Sequence, residues 1–184
     1  LMIVPIICSV ASFAQKTSVD CQLKKFHDAY WSQNNFDMAS VEKYLKTISD
    51  KDIEEVSDST KYYYHYWMGS SYSNHKKVDL EREHLRKAIA LRETSVGILD
   101  PEYIELLWNL GSISEEVDVD CAISYYQKAL VIGQTILYNN GVSLYNTSFM
   151  LNTYGMVLGD LARMYEKKNW KDRVTDLYES AFSF

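Results

Sequence analysis

The sequence predicts an all-α chain of antiparallel helix pairs stacked one after another. Three observations carry this. Seven Gly and two Pro in 184 residues are too few turn residues for a barrel or sandwich of many short strands. Hydrophobic residues at 47% and charged residues at 24% are an ordinary globular balance, with enough apolar material for one domain with a sizeable core. Small and aromatic residues also recur at fixed intervals. Gly69, Tyr72, Leu85 and Ala88 stand at offsets 0, 3, 16 and 19, and so do Ala162, Tyr165, Tyr178 and Ala181.

Taken in order, the chain opens with "LMIVPIICSVASFAQ", uncharged from Leu1 to Gln15. It is too short to span a membrane, and small residues at Ser12 and Ala14 predict a secretory signal over 1–14. The usual basic leader is absent and Leu1 stands where Met is expected, so the signal is read as incomplete at its start. The mature chain, 15–184, is expected to be extracytoplasmic, either periplasmic or secreted. Cleavage removes Cys8. Cys21 and Cys121 are then expected two repeats apart, out of disulfide reach, and both are read as small buried residues.

A weak first unit covers 20–50, where Ala29, Val41 and Leu45 fit the offsets and Ile48 stands where a small residue is expected. The second unit starts from Gly69. The third starts from Gly111 and runs one residue short, with Ala122, Tyr126 and Ala129 at offsets 11, 15 and 18. The missing residue falls in the turn near "EEVDVD". The fourth starts from Ala162, within "NNGVSLYNTSFMLNTYGMVLGDLARMYEKK", which reads as an Asn-Gly stop followed by an unusually long helix. In each unit the small residue on the first helix lets the second helix approach, and aromatic side chains fill the remaining space. In "CAISYYQKAL", Ala122 and Ala129 share one helix face with Tyr125 and Tyr126 between them.

The segments "WMGSSY" (67–72), "WNLG" (108–111), "AISYYQKAL" (122–130) and "DLARMYEKKNW" (160–170) resemble the tetratricopeptide repeat family. "GILDPEYIELLWNLG" (97–111) is similar to the longer repeats of kinesin light chain, with Asp100 as N-cap and Pro101 as first helical residue. The resemblance covers about 60–184. It implies a right-handed α-solenoid of about four repeats that acts as a protein–protein interaction scaffold, whose first helices line a concave groove. Carried over by offset, the groove positions are Leu23, Phe26 and Tyr30 in the first unit and Tyr63, Tyr66, Ser70, Ser73 and Asn74 in the second. Glu105, Trp108, Ser112, Glu115 and Glu116 follow in the third, and Met156, Gly159, Arg163, Glu166 and Lys167 in the fourth. Such a surface is aromatic in the middle and acidic towards one edge. It fits a protein or peptide segment with apolar anchors and some basic residues better than a free C-terminal carboxylate.

Signals for chemistry are absent. His27, His65, His75 and His84 have no metal-ligand spacing, and no CxxC or HExxH occurs. His65 and His84 are placed at helix-packing positions and His75 in a turn. "GMVLG" (155–159) is read as close helix packing. No nucleophile–base pair is visible, so no enzyme is expected, and neither is a cofactor or metal. A net charge of -6 argues against nucleic acid, whose phosphates select basic surfaces. No later run is long and apolar enough to span a membrane. "YESAFSF" is not the polar cap that ends a solenoid, so the chain is expected to continue past Phe184. The alternative reading is the extracytoplasmic sensor region of a larger membrane signalling or transcription-regulating protein.

Overall fold

The structure, a computed structural model, describes residues 19–32, 36–138 and 144–182. The predicted signal and the Asn-Gly stop at 139–141 lie outside the described residues. Among those described, every regular element is a helix: α1 (19–31), α2 (Met38–Leu45), α3 (Asp50–Glu54), α4 (Asp58–Asn74), α5 (Val78–Leu91), α6 (Pro101–Ser114), α7 (Val119–Tyr138), α8 (Leu144–Lys167) and α9 (Lys171–Phe182). A five-residue π turn, Arg92–Val96, extends α5. No helix among the described residues is long and apolar enough to cross a membrane. By its packing the chain divides into two compact units, one up to Val96 and one from Gly97.

The helix starts follow from side chains that satisfy the free N–H groups of the first turn. Asp37 caps α2 through the N–H groups of Ala39 and Ser40. Ser49 and Asp52 form a reciprocal capping box on α3. Ser57 caps α4, and Asp100, with Pro101 behind it, caps α6 as predicted. Asp118 accepts from the Cys121 N–H at the start of α7.

The repeat windows are visible in the turns. After α4, Lys76 adopts a left-handed φ of 55°, its N–H reaching the Ser73 carbonyl while that of Lys77 reaches Tyr72. After α8, Asn169 has φ 57°, and the N–H groups of Asn169 and Trp170 reach Glu166 and Tyr165. Both are Schellman endings. They fall at identical offsets from Gly69 and Ala162. After α6 the turn is shorter, with Val117 and Asp118 both donating to Ser114, which is where the sequence places the missing residue.

In the first unit α4 packs on α5, and α2 and α3 pack on α4. A Cβ added at Gly69 would lie 2.8 Å from Leu85 Cδ2, so the small origin does mark a close approach of the pair. In the second unit α6 packs on α7, α7 on α8, α8 on α9, and α6 also lies against α8. A Cβ at Gly111 would overlap the Tyr126 ring, and one at Gly133 would sit 2.9 Å from Tyr154 Cδ2 and 3.6 Å from Ile104 Cδ1. The pairs 111/126 and 104/133 are symmetric about the same turn, so α6 and α7 run antiparallel.

Ala88, Ala122, Ala129 and Ala162 are all buried, in keeping with their role as contact points. Ala129→Phe is expected to destabilise the fold by about 1–3 kcal/mol through overpacking. A melting temperature equal to that of the parent chain would show that this register is wrong. Two readings need correction. Cys21 is exposed and Cys121 only half-buried, so neither is the buried small residue expected. Gly155 and Gly159 are exposed with open space beside them, so "GMVLG" is not a packing motif. The short α3 and the π turn have no counterpart in the repeat pattern; the π turn tucks the buried Arg92 against α4, its guanidinium 4.7 Å from the Tyr62 ring centroid.

Candidate partner-binding face

In the compact unit from Gly97 onward, the groove positions of the third and fourth repeats come from α6 and α8, the first helices of successive pairs. The Asp100 cap fixes the start of α6 and hence which side chains face α8. Trp108 is half-buried there, and its indole N–H donates to Asp160 Oδ2 at 2.8 Å. At the C-cap of α6, Glu115 Oε1 accepts from the Tyr126 hydroxyl at 2.6 Å and from Arg163 Nη2 at 2.5 Å. Arg163 also meets Asp160 Oδ1 at 2.9 Å. Lys167 pairs with Glu116 at 3.1 Å and reaches the Glu115 carbonyl at 3.4 Å.

A chain of charge thus links the two helices: Trp108 to Asp160, Asp160 to Arg163, Arg163 to Glu115, Glu115 to Tyr126. Burial, then the bond to Glu115, pushes the Tyr126 phenol far above its ordinary range, so it remains a donor at any physiological pH. The exposure is uneven. The Glu115 side chain is 11% exposed and that of Arg163 51%, so the carboxylate acts as the anchor and the guanidinium is presented outward. Ser112 is exposed. The acidic edge expected from Glu115 and Glu116 is therefore neutralised within the chain by Arg163 and Lys167.

In the first unit the corresponding helices are α1 and α4, and they too lie side by side. His27 and Tyr63 ring centroids are 4.5 Å apart, and those of Tyr30 and Tyr66 6.3 Å. Phe26 meets Tyr44 of α2 edge-on at 5.8 Å. Phe26, Tyr30 and Tyr63 are half-buried. Leu23 and Tyr66 are not surface residues: Leu23 is 0% and Tyr66 3% exposed, the latter enclosed by Tyr30, Tyr62 and Trp67. Ser70 turns back to the Tyr66 carbonyl at 3.1 Å, and Asn74 is exposed but spends its side chain on Glu42 of α2. Glu42 also takes His75 at 3.2 Å. Although burial opposes ionisation of Glu42, its bonds to His75, Ser71 and Asn74 hold its carboxyl below the usual carboxylate range. These contacts clamp α2 to the end of α4.

Asp160 is the site residue that offsets alone do not point to. It lies three residues before Arg163, so both side chains leave α8 on one side, and a polar partner for Trp108 was the signal available. Among the described residues, no group of three or more His, Cys, Asp or Glu is placed to hold a metal ion. No family model matches the chain, and a search of curated proteins finds no match.

Proposed function

We propose that the chain is an exported helical-repeat scaffold of the tetratricopeptide kind, in which successive helix pairs stack as in a solenoid and a protein or peptide segment docks along the first helices. The observation that carries this reading is the meeting of α6 and α8 through Trp108, Glu115, Arg163 and Lys167, four residues that all stand at groove offsets. The equivalent turns after α4 and α8 support the repeat register. The uncharged opening stretch to Gln15 supports an extracytoplasmic setting.

The chemistry of the face favours apolar anchoring. The carboxylates of Glu115 and Glu116 already hold cations, so basic partner residues gain less from this edge than the bare sequence implies. Half-buried Trp108 and exposed Ser112 and Arg163 offer an aromatic body flanked by donors. The test is capture from native envelope extract by the chain beginning at Gln15, compared with a Trp108→Ala variant checked for folding by circular dichroism. A partner is expected to be held by the first and weakened by about 2 kcal/mol in the second. Equal retention by both would remove binding from this face. A Trp108→Ala chain that melts far earlier than its parent would make Trp108 a core residue instead.

A further inference from the structure

We propose that His65 and His84 form an acid-sensitive latch between α4 and α5. Their Nδ1 atoms face each other at 3.0 Å across the two helices, with ring centroids 5.0 Å apart. That distance holds one hydrogen. One ring must carry Nδ1–H and the other a bare Nδ1 lone pair. Once both rings are protonated, two N–H groups and two positive charges confront each other. The latch lies beside a close contact of the helix pair: His65 is one turn before Gly69, and His84 adjoins Leu85, which fills the space over that glycine.

The surroundings give an imidazolium little support. From α4, Tyr64 and Tyr72 face the pair, with their rings 6.2 and 5.3 Å from that of His84. From α5 come Glu83 and Lys87. Lys87 holds Glu83 at 2.5 Å, so the nearby carboxylate is already matched by an ammonium. Asp50, which opens α3, acts electrostatically on Tyr64. Burial, then His84, then Lys87 lower the His65 pKa from 6.5 to about 4. Burial, then Lys87, lower that of His84.

Both folded-state values lie below the unfolded one, so between about 6.5 and 4 the unfolded chain binds more protons. The stabilisation is present above the unfolded value and drains away as pH falls through this window. Acid therefore loosens α5 from α4, the helix that carries Tyr63.

The decisive experiment is amide hydrogen exchange of the whole chain at pH 7.5 and 5.0, corrected for intrinsic rates, on wild type and His84→Gln. The Gln amide can donate to neutral His65 or turn its carbonyl to accept from the charged ring, so it tolerates both states. Peptides from α4 and α5 are expected to exchange about fivefold faster at the lower pH in wild type, with α6 and α7 unchanged, and this gain is expected to fall to about twofold or less in the variant, where burial of His65 remains but the facing ring is gone. Equal corrected rates at both pH values, or a gain undiminished in His84→Gln, would overturn the latch. Should the variant not fold, NMR titration of the two wild-type imidazoles decides: midpoints well below about 6.5 are expected, and ordinary midpoints for both would sink the proposal.

Discussion

Tyr126→Ala is expected to cost about 3–5 kcal/mol, the usual range for deleting a fully buried ring. Tyr126 is 0% exposed. Its ring occupies the space that a side chain at residue 111 would need, and its hydroxyl ties the end of α6 to α7 through Glu115 at 2.6 Å. Truncation leaves a cavity under α6 and removes one of the two groups that hold the mostly buried Glu115 carboxylate. The converse change, Gly111→Leu, is expected to cost about 1–3 kcal/mol by overpacking, because the ring it strikes is pinned at its far end and cannot swing away. The two defects are complementary in shape. The double variant is therefore expected to be more stable than the sum of the single losses predicts, by about 1 kcal/mol or more. Urea unfolding of the four chains closes this cycle. Strict additivity would mean that the small residue at 111 and the ring at 126 are independent, and the physical basis of the repeat spacing would fall with it.

Trp67→Ala is expected to be as damaging in the first unit, again about 3–5 kcal/mol. Trp67 is 1% exposed. It stacks on Phe36 at 5.3 Å and takes Tyr30 and Tyr66 edge-on at 5.6 and 4.9 Å, so α1, α4 and the segment before α2 all lean on it. Its indole N–H meets no acceptor among the described residues, and a buried donor left without a partner costs about 1–3 kcal/mol. Trp67→Phe removes that donor while keeping a ring in the cluster. Its net cost is expected to stay below about 1.5 kcal/mol, the gain offsetting part of the lost volume. Denaturant midpoints for the two variants separate the terms. A Phe variant as unstable as the Ala variant would show that volume alone matters here.

Much of this architecture was legible because small residues leave an unambiguous periodic mark. Gly69 and Gly111 could be read as helix contacts since nothing else explains a glycine inside a helix with an aromatic or Leu at a fixed distance. The Asp100–Pro101 start and the shortened turn before α7 were legible for the same reason: each is local chemistry. Tyr66 could not be assigned from offsets, because a tyrosine suits a core and a groove equally and only the neighbouring rings decide. Glu115 and Glu116 looked like a free acidic edge because Arg163 and Lys167 lie about 50 positions away in the chain, and the sequence does not state which helix faces which. Gly133 was passed over although it seats Tyr154. Gly155 and Gly159, which match a well-known spacing, seat nothing. Spacing identifies candidates for close approach, but a contact also requires something on the other side.

That contrast among glycines bears on how the chain can drift over generations. Gly69, Gly111 and Gly133 each face an occupied volume, so replacing one demands a matching change on another helix, a two-step path with an unfit intermediate. Gly155 and Gly159 face open space on an exposed side of α8, where almost any residue is admitted at once and most favour a helix more than glycine does. Lineages of this protein should therefore hold the first three fixed while the latter two wander, and a motif search keyed to the wandering pair would lose relatives that the fixed three would retain.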